Sequence, residues 1–290
     1  MRDRRGRSGG GGLGGFRPSF GSGRGGGLGL PVKAGGGLVG LLIVVAMFVL
    51  PQVFGGESSP FESAANVDDS DPAVCESEQA QIVCGAVDDV SLYWEDQFPR
   101  SFQGAFPGTD TVLFSGGTTT GCGSASAQTG PFYCPADQLV YLDLEFLTDL
   151  QQRFGATGDL AAQYIVAHEY GHHVQNVTGI ADRVRGAQNA SPGAANDFSV
   201  AQELQADCFA GAWIRSVSDR GLLDQPDEIA EALRAAEAVG DDRIMESAGQ
   251  QVDPESFTHG SAEQRRRWVE VGFDTGDPEA CRTFDDTLAP

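Results

Sequence analysis

The stretch His168-Glu169-Tyr170-Gly171-His172-His173 constrains this chain more than any other. It contains His-Glu-x-x-His. On a helix, residues four apart share a face, with Cβ atoms roughly 5–6 Å apart. His168 and His172 can then offer two imidazole nitrogens to one divalent ion, and zinc accepts such nitrogens at about 2.0–2.1 Å. Glu169 leaves the same turn and can reach a water on that ion, as the general base of metal-assisted hydrolysis must. The chain has 4 histidines and three of them fall in this stretch, so chance spacing is a poor explanation.

The flanking residues read as a helix. Asp159, after Gly158, is a candidate N-cap. Leu160, Ile165 and Val166 supply an apolar side, and Thr178-Gly179 offers an exit. Gly171 costs roughly 1 kcal/mol against alanine in a helix. A glycine there lets another segment, or the metal site itself, approach closely.

Two histidines do not complete a catalytic zinc site, which usually has three protein ligands and an open position. The apolar spacing of Val200, Leu204, Cys208, Phe209 and Trp213 reads as a second amphipathic helix. Glu203 and Asp207 share one of its faces. Glu203 is the candidate third ligand. Asp207, one turn on, would accept a hydrogen bond from the free ring nitrogen of a zinc-bound histidine and fix its tautomer. By themselves the two carboxylates would read as a solvated acidic face. Beside His-Glu-x-x-His the ligand reading is preferred.

His168-Glu-Tyr-Gly-His172 followed by Glu203-x-x-x-Asp207 looks like the gluzincin pattern. More closely, four segments resemble the predicted neutral zinc metallopeptidase family of bacterial membrane-anchored proteins. They are Pro131-Phe-Tyr-Cys-Pro-Ala-Asp-Gln138, His168-Glu-Tyr-Gly-His-His-Val-Gln175, Glu203-Leu-Gln-Ala-Asp-Cys208 and Thr258-His-Gly-Ser-Ala-Glu-Gln-Arg265. The resemblance runs from about Cys75 into the C-terminal region. It implies an α+β, zincin-like (gluzincin) domain, mainly helical with a small sheet. It also implies one Zn2+ ion and a peptide or protein substrate. In zinc proteases of this type an edge strand before the active helix pairs with the extended substrate backbone, and Leu139–Leu144 is the segment assigned to that role.

His259 is the histidine outside the main motif. It precedes a capping box, Ser261-x-x-Gln264, that marks a helix start. From this loop it can stabilise the oxyanion of a tetrahedral intermediate. The spacing of His259 and Arg265 is similar to a His-x5-Arg segment at the active site of other membrane-linked gluzincins. Arg265 is therefore expected close to the centre, behind the ligands. Arg266 and Arg267 read as solvated or ion-paired charges.

The remaining sequence sets the organisation. Residues 1–37 are glycine-rich and hold seven basic residues against one acid, Asp3, a composition for a disordered leader. Leu38 to Phe54 is an uncharged apolar run, at the short end for a membrane-spanning helix. A basic leader stays cytoplasmic by the positive-inside rule, which makes the expected protein a single-pass plasma-membrane protein with its catalytic domain outside. No small-x-small cleavage site follows the run at once, so an uncleaved anchor is preferred to a signal peptide. Residues 55–73 read as a linker and 74–290 as the metallopeptidase domain. The whole chain holds 41 acidic and 19 basic residues; after the leader there remain 40 acids and 12 arginines, a net of −28. That balance excludes nucleic acid as its partner.

Cys75, Cys84, Cys122, Cys134, Cys208 and Cys281 all follow the apolar run, and an even count on the presumed outer side fits disulfides. Six cysteines allow fifteen pairings. Cys75–Cys84 and Cys122–Cys134 are the local candidates, leaving Cys208–Cys281, although Cys208 equally suits a buried thiol. Further expectations are a helix over 87–98 ended by Pro99, a strand over 111–115, a loop over 116–130, and helices over 145–154, 226–239 and 242–248. The chemistry expected is peptide hydrolysis with Glu169 as base. The rival is a non-catalytic, zinc-stabilised domain that binds envelope partners.

Overall fold

The computed structural model describes residues 1–3, 75–126, 129–154, 158–223 and 227–284. The expected leader beyond Asp3, the apolar run 38–54 and the linker lie outside the described residues. Among the described residues no helix is long and apolar enough to cross a membrane. The domain is mainly helical with a small sheet, an α+β arrangement.

Helix α1 spans Glu78–Ser101 and starts on a cap in which the Ser77 hydroxyl accepts from Ala80 N–H. It is longer than the expected 87–98, because Pro99 sits in its last turn without ending it. Strands β2 (Asp110–Phe114) and β6 (Leu139–Asp143) pair in parallel, and β5 (Phe132–Cys134) pairs antiparallel on the far side of β6. A two-residue strand, β1 (Arg2–Asp3), lies parallel on the outer edge of β2. The sheet order is therefore β1-β2-β6-β5. Two expectations fall here. Residues 2–3 belong to the sheet and not to a disordered leader. Leu139–Leu144 has neighbours on both sides and cannot receive a substrate strand; the edge nearest the helices is β5. The expected loop 116–130 instead holds an antiparallel hairpin, β3 (Gly117–Thr120) with β4 (Gly123–Ser126), whose polar residues mostly face solvent.

Helix α2 (Leu144–Phe154) leads to α3 (Asp159–Val177), which carries the histidine motif through the centre of the domain. Fourteen of its residues are buried, four of them polar (His168, Glu169, His173 and Gln175), so the helix is enclosed almost all round. Its N-cap is Gly158 and not Asp159. Gly158 has φ +107°, and a Cβ there would overlap the Glu231 carboxylate. That carboxylate accepts from Leu160 N–H, so the helix start is capped from a distant segment. Short α4 (Ile180–Ala190) turns the chain into α5 (Ala195–Asp219). Helices α6 (Ile229–Ala238), α7 (Asp241–Ser247) and α8 (Ala262–Thr275) close the domain. The capping box at Ser261 and Gln264 forms as expected.

All six cysteines are paired, as Cys75–Cys84, Cys122–Cys134 and Cys208–Cys281. The third bond closes 73 residues and ties α5 to the C-terminal segment. The first helps fix the start of α1, and the second holds the hairpin to β5.

Glycines set the helix spacing. A Cβ on Gly171 would lie 3.0 Å from Ala206 Cα, so α3 and α5 meet backbone to backbone. A Cβ on Gly211 would overlap the Val269 carbonyl, and one on Gly272 the Cys208 carbonyl. Replacing Gly272 by alanine forces α5 and α8 apart, and should cost about 1–3 kcal/mol in urea unfolding. Gly186→Ala, inside α4 with nothing within 4 Å of its Cβ, should be neutral or slightly stabilising.

Asp89 of α1 takes a bidentate pair from Arg220 at 2.7 and 2.7 Å and a hydrogen bond from Trp213 Nε1 at 2.8 Å. Burial pushes its carboxyl up, but Arg220 and Trp213 outweigh that and hold it below the ordinary carboxylate range. The carboxylate form is thus favoured in the folded state. Its stabilisation should be complete above the unfolded pKa of about 3.9 and vanish as pH falls through the lower folded value. Asp89→Asn should cost on the order of 1 kcal/mol at neutral pH and much less in acid, read from tryptophan fluorescence during urea unfolding.

Candidate metal centre

Helix α3 presents His168 and His172 one turn apart, with ring centroids 4.8 Å apart. Because Gly171 lets α5 lie close, Glu203 reaches both rings. His168 Nε2 is 3.2 Å from Glu203 Oε2, and His172 Nε2 is 3.4 Å from Glu203 Oε1. The three side chains can each turn one ligand atom to a common point, with those atoms within 4.8 Å of one another.

The other ring nitrogens are held from behind. His168 Nδ1 is 2.8 Å from Asp207 Oδ1, and His172 Nδ1 is 2.9 Å from Gln175 Oε1. Both acceptors favour the Nδ1–H form, which leaves each Nε2 lone pair for an ion. Gln175 in turn donates to Gln202 O at 2.7 Å and to Gln205 Oε1 at 3.1 Å, which ties α3 to α5.

Asp207 is fully buried and serves several partners. Tyr164 hydroxyl donates to its Oδ1 at 2.5 Å. Arg265 donates from Nε to Oδ2 and from Nη2 to Oδ1, both at 2.8 Å. Burial would raise the Asp207 carboxyl, but Arg265 and His168 hold it below the carboxylate range. Arg265 is itself buried, so its guanidinium is committed to Asp207 and stands behind the ligands. Arg266, by contrast, pairs with Glu270 at 2.6 Å on a half-exposed face.

The family model described as "Putative neutral zinc metallopeptidase" matches residues 1–284. The chain belongs to this family. The Escherichia coli K12 "Uncharacterized protein YpfJ" is 46% identical over 196 residues, or 67% of this chain and 68% of the relative. The Mycobacterium tuberculosis H37Rv "Uncharacterized protein Rv2575" is 48% identical over 184 residues, or 59% of this chain and 61% of the relative. No solved structure matches.

Family membership makes zinc the metal to test against this centre. Ligands at about 2.0–2.1 Å and tetrahedral angles stand about 3.3 Å apart. His168 Nε2 and His172 Nε2 face different oxygens of Glu203 at 3.2 and 3.4 Å, and with one ligand atom from each residue the three lie within 4.8 Å of one another, so a small turn of the side chains brings them to that spacing. Two imidazoles and a carboxylate also form a donor set known for catalytic zinc. The residues therefore fit the ion.

The centre opens into a cavity of about 160 Å³ whose lining includes Glu169, Thr258 and His259. Glu169 is buried, and burial raises its carboxyl above the ordinary value despite the opposing pull of His168 and His172. His259 is set by Asp241, a residue with no local sequence signal to mark it. Asp241 Oδ2 accepts from the backbone N–H of Thr258, His259 and Gly260 at 2.7, 2.7 and 3.1 Å. Its Oδ1 is 3.1 Å from His259 Nδ1, which leaves Nε2 as the ring atom for a substrate. Tyr164 was also missed, although it lies four residues before His168 on the same helical face; Gln175 lies three after His172.

Asp207→Asn leaves the Arg265 guanidinium buried without its counter-charge. That should cost about 3–5 kcal/mol in unfolding free energy, and weaken zinc binding about 10–100-fold by competition with a chromogenic chelator.

Proposed function

We propose that residues 74–290 form a zincin-like, gluzincin-type metallopeptidase that hydrolyses peptide bonds with one zinc ion on His168, His172 and Glu203. The convergence of those three side chains beside the buried Glu169, in a cavity open to substrate, is the observation that carries this reading. A zinc ion there would supply Lewis acidity, lowering the pKa of a bound water toward ~7 and polarising the scissile carbonyl.

The chain's own residues do the rest. Glu169 takes the proton of the attacking water and delivers it to the leaving amine. Burial raises its carboxyl above the ordinary carboxylate range, which makes it a stronger base toward the water proton. His259 Nε2 donates to the oxygen that gains charge as the carbonyl becomes tetrahedral. Arg265 acts as a positioning residue through Asp207 and His168, and not on the oxyanion. Substrate binds in extended form along the edge of β5, since Tyr133 and the neighbouring Gly130 and Pro131 line the same cavity.

Glu169→Gln tests the proposal in the purified protein against an unbiased peptide library. Zinc should remain bound at one ion per chain while cleavage falls by about 10²–10⁴-fold. Cleavage at the parental rate would remove Glu169 from the mechanism. Glu203→Ala should lose the zinc as well as the activity, as metal analysis of the dialysed protein would show.

A further inference from the structure

The cavity continues along α3 beyond the metal ligands. Ile165, His168, Glu169, His172 and Asn176 lie on one stripe of that helix, and all five line the cavity. At 1.5 Å per residue the stripe is about 16 Å long, room for about five residues of extended peptide. Its outer walls can therefore read substrate side chains that take no part in the reaction.

Those walls are unevenly charged. Besides the histidines, the charged side chains that line the cavity, among the described residues, are Glu169, Glu203, Arg265 and Arg185. Glu169 and Glu203 stand at the metal centre. Arg265 is buried and holds Asp207. Arg185 is different, because its side chain is 42% exposed. It pairs with Asp182, three residues earlier on α4, whose side chain is 73% exposed and outside the cavity lining. An exposed pair of this kind is worth little. It occupies Nη2 of a guanidinium that has five N–H donors, so the remaining donors can meet a second carboxylate. In a chain with 41 acidic and 19 basic residues, the cleft away from the metal offers a substrate a cation and no acid.

The fold holds this cation in a defined place. Ala181, Arg185 and Gln188 share one face of α4, and all three line the cavity. Ile180, Ala181 and Val184 are buried, which seats the helix. Gln188 Nε2 donates to Ser199 Oγ at 2.9 Å and to Ala195 O at 3.2 Å, which ties α4 to the start of α5. Ser199 is one turn before Glu203. One turn on each helix puts Arg185 on the order of 10 Å from the third ligand, or about three residues of extended peptide.

We propose that Arg185 selects a carboxylate on the substrate, about three residues from the scissile bond. The inference rests on the metallopeptidase reading and adds the substrate class to it: peptides that place an Asp or Glu side chain, or their own C-terminal carboxylate, against α4. Arg185 binds through charge-assisted hydrogen bonds and moves no proton.

The test reads binding, on full-length, zinc-loaded Glu169→Gln protein. Random decapeptides are offered in two libraries, one with amidated and one with free C-termini, and the retained peptides are identified by mass spectrometry. Asp and Glu should be enriched about 5–20-fold over Asn and Gln at one position. Arg185→Gln in the same background should abolish that enrichment, and Arg185→Glu should replace it with enrichment of Lys and Arg. A merely structural role would weaken all peptides alike and would not invert the preference. Enrichment in the amidated library identifies a side-chain carboxylate, whereas preferential retention of free over amidated peptides, lost in Arg185→Gln, identifies the terminal one. No carboxylate preference in either library, or a preference that survives Arg185→Gln, would overturn the proposal. Failure of the peptidase reading is separate: protein with Glu169 intact that cuts none of the retained peptides removes hydrolysis and leaves the subsite, while cleavage with no carboxylate preference removes the subsite alone.

Discussion

The structure depends on one buried carboxylate. Asp207 has no contact with solvent, yet it carries charge, and an uncompensated charge there would cost several kcal/mol. The cost is offset because Tyr164, His168 and Arg265 all hydrogen-bond to it. Those partners come from α3 and α8, while Asp207 itself sits on α5. One side chain therefore fixes the mutual placement of three helices and the orientation of the His168 ring.

The cluster can form only where helices come very close. Gly171 removes a side chain between α3 and α5, and the facing pair Gly211 and Gly272 does the same between α5 and α8. At these crossings a methyl group would displace backbone, which helix packing tolerates poorly. The Cys208–Cys281 bond leaves α5 beside the same crossing and fastens the C-terminal segment over it. Gln205, two residues after Glu203, adds a hydrogen bond from Nε2 to Cys281 O at 2.9 Å. Ligand geometry, helix spacing and the covalent tie thus reinforce one another on α5.

Much of the centre was legible because its spacing is local. His168 and His172, and Glu203 and Asp207, each fall four apart, and helical periodicity puts each pair on one face. The Ser261–Gln264 capping box is likewise a short-range signal. The disulfide partners followed from proximity for two pairs and from the remainder for the third. What escaped was long-range. Glu231, about seventy residues away, caps α3 in place of Asp159. Asp241 organises the His259 loop from α7. The β3–β4 hairpin has no apolar alternation because both its faces are largely wet, so residues 116–130 read as loop. β5 has only three residues, too few to register as a strand, and its absence made β6 look like an edge. The N-terminal pairing of β1 was hidden by the glycine-rich composition that follows it.

The central claim is that two imidazole nitrogens and one carboxylate hold a single metal ion that keeps room for another ligand. Zinc K-edge X-ray absorption on the purified full-length protein tests it most directly. The expected spectrum shows one zinc per chain, a first shell of nitrogen and oxygen alone at about 2.0–2.1 Å, and outer-shell scattering from two imidazoles that is lost with the ion in Glu203→Ala. A first shell containing sulfur, a third imidazole, or zinc bound equally well by Glu203→Ala would contradict the account.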